Sequence, residues 1–183
     1  MIDAISGFFA WLPREIYVFV ISVLPIIELR GSIPVGAALE IPFYINYPLS
    51  VIGNLLPVPF ILLFIPKILA FLGRFKPFAR LVGWLHEKAR RGSKKVIGEE
   101  NALTSNTEDI PTLKMTRAIF LALMIFVAIP LPGTGAWTGA LVASLFNIEK
   151  RWSFLAITLG VLISGAVMCL ASYGVLGFLK FLL

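Results

Sequence analysis

The chain has almost none of the residues that most site chemistry needs. It has one cysteine and one histidine in 183 residues. A zinc or haem site built from His and Cys is therefore not expected, and neither is an internal disulfide. Cys169 lies in an apolar run and reads as a packed thiol. No Gly-x-x-x-x-Gly-Lys-[Ser/Thr] loop is present, so no ATP-driven step is expected within this chain. No nucleophile–His–acid set is evident, and no enzymatic activity or cofactor is expected. Charge of either sign is scarce at 14%. What remains is 58% hydrophobic with a mean hydropathy of +0.92, against about 45–50% apolar for a soluble domain. Too few polar side chains remain to cover a water-facing surface, so the sequence predicts an integral membrane protein. The first charge is Asp3 and no basic segment precedes the apolar run, so a cleaved secretory leader is not expected.

Against that background, two helix-breaking motifs interrupt the apolar stretches. One is Pro25-Ile-Ile-Glu-Leu-Arg-Gly-Ser-Ile-Pro34, the other Ile129-Pro-Leu-Pro-Gly-Thr-Gly-Ala-Trp-Thr-Gly139. Two prolines and at least one glycine in so short a segment predict non-helical backbone in each. At membrane depth such backbone, and the charges Glu28 and Arg30, are tolerated only against protein or a wet cavity.

Segment lengths give the topology. Residues 49–73 and 153–179 are long enough to span, since about 20 apolar helical residues cross the hydrocarbon core. Pro57, Pro59 and Pro66 are expected to kink the first span, and Lys67 and Lys180 can snorkel to an interface. The pieces 16–27, 33–44, 118–129 and 136–148 are each roughly 18–20 Å long as helix, which is a half-span. Each pair flanks one breaker and reads as a re-entrant hairpin, 16–44 and 118–148, with Glu40 towards an interface. The predicted fold is thus an all-α membrane protein with an inverted-topology repeat, each half a hairpin plus a span. The first repeat covers residues 1–75, with an interfacial helix at its start. Residues 76–114 form a cytoplasmic amphipathic helix (77–91, carrying His86) and a polar loop. The second repeat covers 115–183. Gly36–Leu39 can be laid on Gly139–Val142, and Gly53 on Gly160.

The net charge of +6 is distributed as a membrane signal rather than a nucleic-acid footprint. Arg74, Lys76, Arg80, Lys88, Arg90, Arg91, Lys94, Lys95, Lys114, Arg117, Lys150 and Arg151 are 12 of the 16 basic residues, and the hairpin arrangement puts all of them on one side. By the positive-inside rule that side is cytoplasmic, in the inner (plasma) membrane, with both termini outside. Anionic lipid is an additional partner for the basic segment.

At the first tip, Arg30 offers a planar fork of donors suited to phosphate or carboxylate. Glu28, partly out of water, can take up or release a proton. The bland alternative is a neutral-sum pair that holds loose loop backbone. At the second tip, Gly133 and Gly135 allow close approach and positive φ, and a helix starting near Ala136 points its free N–H groups into the cavity. Thr134 or Thr138 can cap that helix or bind an anion. The helix after Ser32 and Pro34 is expected to face it with the same polarity, with Arg30 between. Asn54, inside the first span, is a cavity-lining candidate.

The pair Glu28-Leu-Arg-Gly-Ser-Ile-Pro34 and Pro130-Leu-Pro-Gly-Thr-Gly-Ala-Trp-Thr-Gly139 resembles the small multi-drug export proteins of prokaryotes. More distantly, the layout resembles the DedA/VTT superfamily, whose opposed re-entrant hairpins and links to lipid translocation imply a polyprenyl-phosphate or phospholipid substrate. The second tip lacks the arginine found in many members of that superfamily. The leading expectation is a transporter or flippase for an amphipathic anion such as a lipid phosphate, proton-coupled through Glu28. The alternatives are a proton-coupled exporter of small, cationic drugs and a non-transporting membrane scaffold. Two hairpins and two spans make a thin wall, so a homodimer is expected.

Overall fold

A computed structural model describes residues 13–72, 115–131 and 133–182. The readings of the N-terminal interfacial helix and of the 76–114 segment, with His86 and most of the basic cluster, lie outside these residues. The described chain is all-helical. The helices are α1 (Arg14–Val23), α2 (Glu28–Ala38), α3 (Phe43–Leu55), α4 (Pro57–Leu72), α5 (Arg117–Ala128), α6 (Ala136–Leu145) and α7 (Lys150–Leu182).

Among the described residues, two segments are long and apolar enough to cross a membrane. Phe43–Ile68 (26 residues, mean hydropathy 2.1) joins α3 to α4, and Lys150–Gly174 (25 residues, mean hydropathy 2.4) lies in α7. Both start a few residues before the expected spans. The first is interrupted at Leu56, because Pro57 has no N–H to give to the carbonyl of Gly53 and opens α4 instead. Further along, Ser144 Oγ on α6 donates to Ile61 O at 3.3 Å, one turn ahead of Pro66, where regular helix bonding is disturbed.

The first breaker differs from its expectation. Helix α2 begins at Glu28, so Glu28-Leu-Arg-Gly-Ser-Ile-Pro34 is helical and Pro34 sits inside it. One proline costs a single i→i−4 bond and bends a helix without having to end it. The chain breaks earlier, at Pro25–Ile27, and resumes with Glu28 at φ +51°, a left-handed conformation costly for a residue with a Cβ. The second breaker behaves as expected: α5 stops at Ala128, Gly133 takes φ +84°, and α6 starts at Ala136.

The short helices pack in a matched pattern. The first of each pair lies along the long helix that follows it, α1 on α3 and α5 on α7. The second also reaches the other half's long helix, α2 on α7 and α6 on α4. Glycines permit the close crossings. A Cβ on Gly53 would lie 2.9 Å from Phe19 O of α1, and one on Gly160 2.7 Å from Met124 O of α5.

Both α2 and α6 end in the same Schellman turn. Glu40 (φ +59°) donates to Ala37 O at 3.1 Å and Ile41 to Gly36 O at 3.0 Å. Asn147 (φ +47°) donates to Ser144 O at 3.1 Å and Ile148 to Ala143 O at 2.9 Å. The interval between these turns is 107 positions (147 less 40), and the same interval joins Gly53 to Gly160. Gly36 therefore corresponds to Ala143. The sequence alignment of Gly36–Leu39 on Gly139–Val142 uses an interval of 103 positions (139 less 36), one helical turn shorter than that of the two turns.

One buried amide ties the first turn to both spans. Asn46 is fully buried, and its Nδ2 donates to Ile33 O at 2.9 Å and Tyr173 Oη at 2.8 Å. Its Oδ1 accepts from Ser50 Oγ at 3.2 Å, and Tyr173 Oη donates onward to Ile41 O at 2.6 Å. Asn46→Ala removes the side-chain donor to Ile33 O and one partner of Tyr173 Oη. The expected cost is about 1–2 kcal/mol, read as a lowered thermal midpoint of the purified protein. A midpoint equal to wild type would show that this network does not carry stability.

Candidate functional site

The two tips meet. Arg30, in the first turn of α2, donates through Nη1 to Leu131 O and through Nη2 to Ile129 O (3.3 Å) and Thr134 Oγ1 (2.9 Å). Those carbonyls belong to backbone released where α5 ends, so the guanidinium fork supplies the donors that the broken helix lacks. Thr134 Oγ1 lies 2.8 Å from Ile129 O and 2.9 Å from Leu131 O and donates to that pair. Trp137 Nε1 donates to Val23 O at 3.1 Å, which ties the end of α1 to the second tip.

Glu28 reaches in the same direction. It is 6% exposed, and its Oε1 accepts from the backbone N–H of Trp137 at 3.3 Å. The N–H of Ala136 also faces the carboxylate. The N-cap of α6 is Gly135, with no side-chain cap of its own. The free N–H groups and positive end of α6 are therefore served by an acid from the other half of the chain. A Cβ on Gly135 would lie 1.5 Å from Glu28 Oε2, so glycine is required there by close approach, its own φ of −89° being ordinary.

Behind this contact is a crevice lined by Glu28, Leu29, Arg30, Asn54, Val127, Gly135, Ala136, Val161 and Ser164, too tight to hold a water molecule. Three pairs of its lining residues, Glu28 with Gly135, Leu29 with Ala136 and Asn54 with Val161, are separated by the 107-position interval of the Schellman turns (135 less 28, 136 less 29, 161 less 54). Asn54 is 1% exposed and Ser164 2% exposed, and neither Asn54 Oδ1 nor Ser164 Oγ has a hydrogen-bond partner.

The structure thus brings Glu28, Arg30, Asn54, Thr134 and Gly135 together, and the readings change in five respects. The opposed helix ends are Glu28 and Ala136, not a start after Ser32. Thr134 does not cap α6, since it is engaged with Arg30 and the tip carbonyls. Thr138 Oγ1 turns back to Gly135 O at 3.1 Å, as a helical hydroxyl commonly does. Ser32 is fully buried with an unpartnered hydroxyl and does not line the crevice. Gly133 is exposed, with open space around a Cβ built on it. Ser164 escaped the sequence reading. Asn54 stands out as the lone amide of the first span, whereas Ser164 shares the second with Ser153, Thr158, Ser172 and Tyr173, and no local signal singles it out. Among the described residues no group of three or more His, Cys, Asp or Glu is placed to hold a metal ion.

Residues 28–167, well over half of the chain, match the family described as "Putative small multi-drug export protein". The chain belongs to that family. The match begins at Glu28 and takes in Arg30, the second tip and most of the second span. Family and apolar helices together place the protein in a membrane, and the family's description is of an exporter rather than an enzyme. No curated protein and no solved structure gives a significant match.

Proposed function

We propose that this small multi-drug export family member is a secondary transporter that exports small molecules, with Glu28 as the group that couples transport to an ion. The observation that carries the reading is the buried Glu28 carboxylate at the meeting point of the two halves, bound to a helix terminus that belongs to the other half. A carboxylate in that place can release the α6 N–H groups when it is neutralised and reclaim them when it is not, which links its charge to the relative position of the tips. The proposed topology has two re-entrant hairpins entering from opposite faces, related as an inverted repeat, with the basic central segment cytoplasmic and both termini outside. The repeated Schellman turns, the matched packing and the paired crevice residues support it.

The test is efflux of a fluorescent cationic dye from proteoliposomes under an imposed pH gradient. Gradient-driven efflux is expected to fall at least about tenfold in Glu28→Gln, which keeps the shape and removes the titration. Wild-type rates in folded Glu28→Gln would overturn the role of Glu28.

A second reading, translocation of an amphipathic anion such as a lipid phosphate, is favoured by one observation. Arg30 Nε is buried without a partner beside the α6 terminus that Glu28 holds, so a phosphate could replace the carboxylate there. Movement of a fluorescent polyprenyl phosphate across the same vesicles, with no dye efflux, would select it.

A further inference from the structure

The crevice behind Glu28 brings together two buried oxygens that have no hydrogen-bond partner. Asn54 comes from α3, Ser164 from α7 and Glu28 from the start of α2, so three elements converge on one space. Asn54 Oδ1 and Ser164 Oγ are buried and without partners, and a buried acceptor left unpaired costs about 1–3 kcal/mol. Two such atoms beside a carboxylate are an oxygen-only set, which suits a hard cation.

We infer that this crevice is a binding site for a small dehydrated monovalent cation, a proton or a sodium ion, held by the Glu28 carboxylate, Asn54 Oδ1 and Ser164 Oγ. The inference rests on Glu28 as the coupling group and names the ligands that complete its site.

Size and charge narrow the ligand. The space is too tight for water, which disfavours potassium, an ion about as large as a water molecule. The crevice wall carries one negative and one positive group, Glu28 and Arg30. From α3, α5, α6 and α7 it receives Asn54, Val127, Gly135, Ala136, Val161 and Ser164, none of them charged. One carboxylate beside a guanidinium does not compensate a divalent ion. Both Nη atoms of Arg30 are bonded to the second tip, its buried Nε has no partner, and Glu28 is the one carboxylate in the crevice wall. Bound as a proton, the cation sits on a Glu28 oxygen, with Asn54 Oδ1 or Ser164 Oγ accepting the resulting O–H. Bound as sodium, it is shared among all three oxygens. In both cases it enters from and returns to water, with no covalent change elsewhere.

The test is thermal unfolding of the full chain in lipid nanodiscs, in NaCl, KCl or choline chloride at equal ionic strength, at pH 5.5 and pH 8. For sodium, the midpoint rises by about 5 °C over potassium at saturating salt, and the rise disappears in Asn54→Ala and Ser164→Ala. For a proton, the three salts agree, the midpoint depends on pH, and that dependence is lost in Glu28→Gln and reduced in Asn54→Ala. If the alanine variants do not fold, Asn54→Asp, equal in size and richer by one carboxylate, decides. It is expected to lower the half-saturating sodium concentration about tenfold or to steepen the pH dependence. No response to either cation, or a response that the Asn54 and Ser164 variants leave unchanged, overturns the site. Cation binding without export would sink the transport reading alone, and export without a cation response would sink this site alone.

Discussion

Gly135→Ala is expected to abolish gradient-driven export and to destabilise the fold, although it adds one methyl group. That methyl would stand 1.5 Å from Glu28 Oε2 and 2.3 Å from Glu28 Cδ, so the two cannot occupy their places together. The carboxylate cannot slide aside freely, because Glu28 enters α2 at φ +51° and the crevice beyond it has no room for even a water molecule. Either Glu28 leaves the α6 N-terminus or the two tips separate. Overpacking of this kind costs about 1–3 kcal/mol. Two controls isolate the cause. In a Glu28→Ala background the clash partner is gone, and the added cost of Gly135→Ala should fall to within about 0.5 kcal/mol of zero, a coupling that independent sites do not show. Gly133→Ala, two residues away, meets open space and carries only the penalty of φ +84°, about 1 kcal/mol, with export retained. Unfolding midpoints and dye efflux on the four variants check the set. Equal behaviour of Gly133→Ala and Gly135→Ala would show that the loop needs glycine for its backbone and not for Glu28.

How far this site could be read from the sequence depends on the range of the physics behind each residue. The apolar pieces placed α1, α5 and α6 to within about four residues and the two long segments to within about six, because the length of an apolar run is a local property. The start of α6 at Ala136 was legible for the same reason: Pro130, Gly133 and Gly135 leave few other places to begin. The start of α2 was not, because Pro34 reads as a breaker and the decision between ending and bending a helix lies with its neighbours. Here Asn46 bonds Ile33 O, just before Pro34, and a Cβ on Gly36 would lie 2.4 Å from Asn46 Cγ, so that turn is packed against α3. Glu28 and Arg30 were recognisable as charges that need partners, and their contacts are those of the bland alternative, a pair that holds loose loop backbone. The sequence offers Arg30 as the anion binder and the α6 terminus as an anion site. In the structure, Arg30 serves carbonyls of the second tip and Glu28 is itself the anion at α6. Nothing local distinguishes these arrangements, since they differ only in how two tips about a hundred residues apart are brought together. The 107-position interval is faint in residue identity, which matches Gly53 with Gly160 but Glu28 with Gly135, and is plainer in the two matching helix ends.

Arg30→Ala should then be among the most damaging single substitutions in a bilayer, through the second tip rather than through lost substrate binding. The change removes the donors to Leu131 O, Ile129 O and Thr134 Oγ1 at one stroke. Hydrogen bonds from a charged donor contribute about 1.5–3 kcal/mol each in net terms, and their loss is worst where water cannot substitute. Leu131 and Ile129 lie at the protein's surface, so the cost depends on what surrounds the tip. At membrane depth the carbonyls would face lipid, and a loss of about 2–4 kcal/mol is expected in nanodiscs. At the level of the headgroups water would hydrate them, and the loss should stay below about 1 kcal/mol. Arg30→Lys separates charge from geometry. A lysine retains the positive charge but has no planar fork to bridge Leu131 O and Ile129 O, so most of the loss should persist. Thr134→Val, which removes one acceptor of Arg30 and one donor to the carbonyl pair, should cost about 1 kcal/mol. Hydrogen exchange gives the local readout: in Arg30→Ala the amides of Leu131 and Thr134, bonded to Ile129 O and Leu131 O, should exchange at least about tenfold faster, while those of α5 keep their protection. A large loss in bilayers would set the second tip inside the hydrocarbon, as the re-entrant topology requires. A small one would move it to the surface and remove the reason for reading Glu28 as an intramembrane carboxylate.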